Sequence, residues 1–319
     1  MGTQAVYWGE KRYHSLDYHL KNRFGQKIYK LSLNGDMTCP NRDGTLGNRG
    51  CIFCSRGGSG DFAASCALSI KEQIEAAKTL VAKKTTGSSY IAYFQAYTNT
   101  YAPYEKLKKI FTEAISHPDI CILSVATRPD CLNDNVLNLL EKLNGIKPVW
   151  VELGLQSIHE HTARFIRRGY ELPIFEKAVS ALRKRGIEVI VHVITGLPTE
   201  NENHMLATIH YLNKMDIQGI KLQLLHILKE TDLADYYERH PFRVLSMDEY
   251  IKITGQCIAN LRTDIVIHRL TGDGPKSLLL APAWSADKRR VLNQIQAHLK
   301  QNNIWQGKEF KNDNYIQTI

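Results

Sequence analysis

Six short runs rich in β-branched and apolar residues, Ile28–Leu33, Tyr90–Gln95, Cys121–Ala126, Val149–Leu155, Glu188–Ile194 and Gly219–Leu224, alternate with stretches that carry the apolar spacing of amphipathic helices. Strands separated by helices cannot pair as hairpins. They pair in parallel with the helices outside, so this alternation predicts an α/β protein on a parallel sheet or barrel. The helix ends agree. Ser69 and Glu72 make a capping box for a helix over 70–84, and Ser246 and Glu249 make another for a helix ending near Leu261. Pro103 and Pro173 suit first turns, and Gly145 and Gly186 suit helix ends. A further strand, Ile265–His268, a TGDGP turn (271–275) and a helix from Ala286 to about Gln301 follow. There is no internal repeat and no low-complexity linker. The expected division is an N-terminal extension (1–24), a main barrel (25–228) and a C-terminal extension (229–319) packed on it.

Loops that follow parallel strands open onto one face, where ligands bind. Here they are polar: QAYTNT (95–100), TRPD (127–130), QS (156–157) and TGLPTE (195–200). The loop after the first strand holds CPNRDGTLGNRGCIFC, three of the seven cysteines, spaced by eleven residues and then by two. Asn41, Asp43, Gly44, Gly47, Asn48 and Gly50 favour turns, so the loop can fold back and gather its sulfurs. Three thiols from one loop make a soft-metal site for iron–sulfur or zinc. Structural zinc closes with four ligands, so zinc needs a further donor such as His14, His19 or Cys66, whereas a cluster held by three thiolates keeps one iron open. The other four cysteines, Cys66, Cys121, Cys131 and Cys257, form no framework, which argues against a disulfide-stapled secreted protein. No apolar run is long enough to span a membrane and the N-terminal residues lack a signal-peptide core, so the expectation is a cytoplasmic protein.

These residues resemble the radical S-adenosylmethionine (SAM) superfamily, whose cluster loop follows the first strand of a partial barrel and ends in Cys-x-aromatic-Cys. Cys51-Ile52-Phe53-Cys54 fits that ending, while the eleven-residue first spacing departs from the common three. The branch that includes the catalytic subunit of Elongator is similar in VELGLQS (151–157), IRRGYE (166–171), TRPD (127–130) and HVITGLP (192–198). Over the whole chain the similarity is to the bacterial YhcC/YtqA-like radical SAM proteins. The resemblance implies a partial (β/α)6 TIM-type radical SAM barrel with a C-terminal α/β extension. It also implies a [4Fe–4S] cluster on Cys39, Cys51 and Cys54 with an open iron, and reductive cleavage of SAM to a 5′-deoxyadenosyl radical. The SAM contacts it implies are Phe53 beside the cofactor, Asn99 and Thr100 in place of the family's Gly-Gly-Glu segment, Gln156 and Ser157 near the ribose, Arg168 on the carboxylate and His192 as a polar ribose contact. Ala126 stands where many relatives carry a glutamate. Taken singly, Gln156 also reads as a strand-end polar residue, Arg168 as a helix-end cation and His192 as a satisfied core histidine.

The formal charge of +9 and pI near 9.1 point to a polyanionic partner. Basic residues cluster at both ends, Lys11, Arg12, Lys21, Arg23, Lys27 and Lys30 at one and Lys288, Arg289, Arg290, Lys300 and Lys308 at the other, and are expected to flank the barrel mouth. The resemblance adds tRNA as partner, with a wobble-uridine carboxymethylaminomethyl group remodelled towards aminomethyl, and a reductant such as flavodoxin or ferredoxin. Two other readings compete: a non-catalytic, zinc-stapled RNA-binding protein, and a radical SAM enzyme with a non-tRNA substrate.

Overall fold

A computed structural model describes residues 5–58, 60–83, 87–272 and 274–311. Asp273 of the TGDGP turn, residue 84 at the expected end of the first long helix, and the tail from 312 lie outside the described residues. In chain order the elements are α1 (Leu16–Phe24), β1 (Tyr29–Leu33), α2 (Ile70–Val81), β2 (Tyr90–Phe94), α3 (Tyr104–Ser116), β3 (Ile120–Thr127), α4 (Asp134–Asn144), β4 (Val149–Gln156), α5 (Glu160–Phe165) and α6 (Leu172–Arg183). They continue with β5 (Glu188–Thr195), α7 (Glu202–Leu212), β6 (Gly219–Leu224), β7 (Ile227–Leu228), α8 (Asp232–Arg239), α9 (Met247–Asn260), β8 (Val266–Arg269), β9 (Leu279–Ala281) and α10 (Lys288–Gln301). All six expected strands are present with ends shifted by a residue or so. Both capping boxes form, and Pro103 is the N-cap of α3 rather than its first residue.

The sheet runs β1-β2-β3-β4-β5-β6-β8, every pair parallel. Its seventh strand comes from the expected C-terminal extension, so residues 229–319 complete the sheet as well as cover it. The sheet is curled into a half-barrel. The curl can be read from its side chains. Lys30 on β1 donates to Glu152 on β4 at 2.7 Å, and Lys221 on β6 donates to the Tyr93 hydroxyl on β2 at 3.1 Å. In a flat sheet, strands three and four places apart, as β1 and β4 and then β2 and β6 are, lie about 14 and 19 Å from one another, so only a curled one brings these groups together. Between strands and outer helices lies the main core, from Leu31 and Phe94 through Val151 and Val191 to Ile258 and Leu299.

Helix α1 closes the floor. Its Leu20, with partly buried Leu16 and Phe24, packs on Ile91, Ile122, Trp150 and Ile190 near the strand beginnings, and Ser15 bridges to Ile267 of β8. Ser15 caps α1 and Gly25 ends it with a left-handed backbone. This placement corrects one expectation. Arg23 pairs with Glu188 at the first residue of β5 and Arg12 bonds to Asn303, so these two sit on the floor, opposite the mouth, while Lys30 turns into the lumen. Of the C-terminal set, the start of α10 lies towards the mouth, because the preceding Trp284 donates to Leu245, which packs under Gly196 after β5.

Candidate active site

The strand-following loops meet around a cavity of about 240 Å³, many times the roughly 10–15 Å³ that holds one water and so larger than a packing defect. Cys39, Cys51 and Cys54 line it together with Phe53, Gln156, Arg168 and His192. The long first spacing resolves into a folded-back turn. Arg42 and Asp43 amides return to the Cys39 carbonyl, Leu46 donates to Pro40, and Gly50 donates to the Asn41 carbonyl at 2.7 Å, which brings the ends of the eleven-residue segment together. Arg42 then reaches the Cys54 and Ser55 carbonyls at 3.2 and 2.6 Å.

Asn41 ties the loop to the chain after α5. Its amide donates to the Arg167 carbonyl at 2.7 Å and faces the Cys51 sulfur at 3.5 Å. This close approach needs Gly169, whose backbone is left-handed and where a Cβ would meet the Asn41 side-chain oxygen at 2.7 Å. From the C-terminal side, Asp232 at the start of α8 holds both Arg49 and Arg167, and Leu233 donates to Ile52. Ile52 and Phe53 pack with Ile166, Leu197 and Leu233 into a small core of their own.

All three cysteines are free thiols. The Cys51 thiol is drawn down to about 6, first by the hydrogen bond from Cys54, then, against burial, by Arg128, Asn41 and Arg167. Cys54, the partner that keeps the proton, is pushed up by that bond and by burial. The three sulfurs are not gathered within 4.8 Å of one another; among the described residues only Glu75, His117 and Asp119 form such a group. Cys51 and Cys54 are hydrogen-bonded to each other, so it is Cys39 that stands off from the pair. The extra zinc donors considered above are elsewhere. His14 and His19 contact each other on the floor, and Cys66 is exposed and does not line the cavity.

One buried polar atom on the cavity wall, Gln156 Oε1, lacks a hydrogen-bond partner, while Arg168 Nη2 has no hydrogen bond but is ion-paired to Glu160. Gln156 ends β4 with φ of 68° at a register shift, a strained backbone that re-aims its side chain. Arg168 is fixed by bonds to the Ser157 and Tyr170 carbonyls and by stacking 4.5 Å over the Tyr170 ring, with Nη2 3.5 Å from Glu160. Its backbone carbonyl accepts from Arg128, which grips Asp130 through both guanidinium nitrogens, so TRPD is a self-contained clamp.

The structure does not bring Asn99, Thr100 or Ser157 to this cavity. Asn99 is fully buried and splices the ends of β2 and β3 through the Phe94 and Ala126 carbonyls. Thr100 locks onto Thr127 and Cys131 beside a separate groove. The Ser157 hydroxyl is spent on Glu200 and the His159 amide. Each satisfies buried backbone or polar groups that a strand-end loop leaves exposed.

A second constellation went unread in the sequence. Glu152 is wholly buried in the lumen and accepts from Lys30, Ser124, His192 and Lys221. Burial works against its charge, but Lys221 and Lys30 hold its carboxyl well below the usual range. His192 is pushed down to about 4 by burial and by Lys221, so it is neutral at pH 7. Burial also pulls Lys221 down against the attraction of Glu152. Tyr93, Gln223 and Arg269 complete this end of the cavity. The available signal was a lysine or glutamate inside YKLSL, VWVELGLQ and GIKLQL: strands buried on both faces read apolar, and a charge within one marks a lumen.

The profile of the Radical SAM superfamily matches residues 44–212, and that of the Radical SAM C-terminal domain matches 217–301. YtqA of Bacillus subtilis (strain 168) is 43% identical over 302 residues, 95% of this chain and 94% of that protein. A tRNA uridine(34) acetyltransferase of Methanocaldococcus infernus is 24% identical over 179 residues, 55% of this chain but only 33% of the larger protein. Among solved structures, M. infernus Elp3 with an N-terminal deletion superposes with a TM-score of 0.67 at 14% identity, over 88% of this chain and 64% of that one.

Proposed function

The chain belongs to the radical SAM superfamily, and from that premise we propose that it acts on tRNA, remodelling a carboxymethylaminomethyl group on the wobble uridine towards aminomethyl. It is a radical SAM enzyme and uses a [4Fe–4S] cluster and SAM. The observation that carries the site assignment is the convergence of three free thiols, the unpartnered Gln156 Oε1 and the Arg168 guanidinium on one cavity. Three soft thiolates on one wall fit an iron–sulfur cluster, and the orphaned Gln156 oxygen fits a polar cofactor.

In this reading Cys39, Cys51 and Cys54 are the three protein ligands, Phe53 packs beside the cofactor, Arg168 pairs with the methionine carboxylate and Gln156 meets its polar part. When bound, the cluster and SAM together supply a 5′-deoxyadenosyl radical. The protein's own part is placement. Asn41 and Arg167 orient Cys51, Tyr170 and the Ser157 carbonyl lock Arg168, and the α8 contacts hold the cysteine loop over the lumen. Neutral His192 can accept or donate a hydrogen bond without adding charge.

The tRNA reading is supported by the net charge of +9, by the likeness to a tRNA uridine(34) acetyltransferase, and by Phe62, 57% exposed on the cavity rim where an unpaired base could stack. Its test is anaerobic reconstitution followed by nucleoside analysis of tRNA treated with enzyme, SAM and dithionite. The expected result is a brown protein that yields 5′-deoxyadenosine and loses carboxymethylaminomethyl-uridine as aminomethyl-uridine appears, with colour and cleavage both absent in Cys54→Ala. Unchanged nucleosides from an enzyme that still cleaves SAM reject the tRNA reading.

A further inference from the structure

Most arginines near the cysteine loop are answered by a carboxylate: Arg128 grips Asp130, Arg167 pairs with Asp232, and Arg49 shares that same aspartate. Arg42, three residues after Cys39, is different. Its guanidinium donates to the Cys54 and Ser55 carbonyls at 3.2 and 2.6 Å, and no carboxylate pairs with it among the described residues. Asp61 lines the same cavity but is held by the Ser55 hydroxyl, and Asp43 accepts from the Thr45 amide. Two further contacts fix where the Arg42 charge sits. The guanidinium lies 5.6 Å from the ring centre of Tyr97, which has a left-handed backbone and a hydroxyl that donates to the Arg56 carbonyl, just after Cys54. The returning arm of the eleven-residue segment passes over it at Gly50, also left-handed, where a Cβ would meet Arg42 Nε at 2.9 Å. Arg42 is thereby half-buried, and a fixed charge screened less by water acts more strongly on its neighbours.

We infer that Arg42 is the positioning residue of the Cys54 arm and the fixed charge that raises the reduction potential of the cluster. Reduction adds one electron, and so one negative charge, to the group held by the three thiolates, and a cation fixed beside Cys54 favours that reduced form. The same guanidinium holds the Cys54 backbone carbonyl, so its loss removes the charge and loosens the arm together. The long first spacing then has a physical use, because it lets the loop come back over Arg42 and enclose it. The inference rests on the reading of Cys39, Cys51 and Cys54 as the cluster ligands, but not on any substrate.

The test compares anaerobically reconstituted wild type, Arg42→Gln, Arg42→Lys and Asp61→Asn in the absence of SAM. Iron and sulfide are measured per chain, iron release to a chelator is timed, and the cluster is titrated with dithionite under EPR. Arg42→Gln removes the charge, so its potential should fall by about 59 mV or more, a tenfold shift of a one-electron equilibrium. It should also release iron about fivefold faster, the loss of a hydrogen bond on the Cys54 arm. Arg42→Lys keeps the charge without the planar fork and should recover most of the potential. Asp61→Asn takes away the carboxylate bonded to Ser55 and should move the potential upward, and it serves in place of Arg42→Gln should that variant hold no cluster. Equal potentials in wild type and Arg42→Gln, a fall in Arg42→Lys as large as in Arg42→Gln, or no rise in Asp61→Asn overturns the inference and leaves the ligand reading standing. A wild-type chain that takes up no iron, or a Cys54→Ala chain that keeps a full cluster, removes the ligand reading itself and the inference with it.

Discussion

Replacing Glu152 by Gln keeps the volume of the lumen and removes its one carboxylate. Glu152 is fully buried, as is Lys221 nearly so, while Lys30 retains 20% side-chain exposure. Breaking a buried ion pair from one side costs about 3–5 kcal/mol, because the remaining charge stays desolvated without a partner. Here two amines lose their counter-charge, and they and the His192 and Ser124 donors are left with one acceptor oxygen in place of two, so a value near 4 kcal/mol is expected. For a chain of 319 residues, with an unfolding entropy of roughly 2.1 cal/mol/K per residue, that lowers Tm by about 6 °C. Lys221→Met alone should cost far less, about 1 kcal/mol, since Glu152 keeps Lys30, His192 and Ser124. In the double variant the surviving Lys30 can turn to solvent, so Glu152→Gln/Lys221→Met should be more stable than Glu152→Gln by about 2 kcal/mol. Urea unfolding of the metal-free proteins at pH 7.5, followed by circular dichroism and fluorescence, gives the cycle. If Glu152→Gln stays within 1 kcal/mol of wild type, or the second substitution recovers nothing, the buried-charge account of the lumen is wrong.

Two further outcomes are expected. Arg168→Lys keeps the charge but loses the planar fork that bridges two carbonyls beside the cavity, so SAM affinity in the reconstituted protein should fall roughly tenfold or more by equilibrium binding; an unchanged Kd removes Arg168 from the proposed cofactor site. His192 has its folded value lowered to about 4 from 6.5, so the unfolded chain takes up a proton first as pH falls. The stability this group contributes is therefore full above pH 6.5 and is lost as pH drops towards 4, about 3 kcal/mol in all, and His192→Gln should flatten that part of the stability-versus-pH curve. An identical slope in the variant would place the titration elsewhere.

Much of this molecule was legible before its structure. Period and punctuation gave all six strands and both capping boxes, because strand and helix patterns are local and each residue reports its own environment. The cysteine loop was legible for the same reason: its three thiols are close in the chain and its turn residues say it folds back. Asn99 and Thr100 mark where such reading stops, because a polar residue after a strand serves either a ligand or the neighbouring backbone, and here the Phe94 and Ala126 carbonyls and Thr127 engage them away from the cavity.

Length, charge, the β/α alternation and the three clustered thiols thus follow from the order of residues alone. Which side chains meet in the lumen does not. Lys30 and Glu152 are 122 positions apart, and Glu152 and Lys221 are 69 apart. They touch only because seven parallel strands curl, so that inward-facing residues on non-adjacent strands converge across the interior. Curvature is a property of the assembled sheet, set by strand twist and by helices packed on one side, and no local stretch encodes it. The same curl turns Arg12 and Arg23 to the floor and sends β8, from the far end of the chain, to complete the wall around the candidate site.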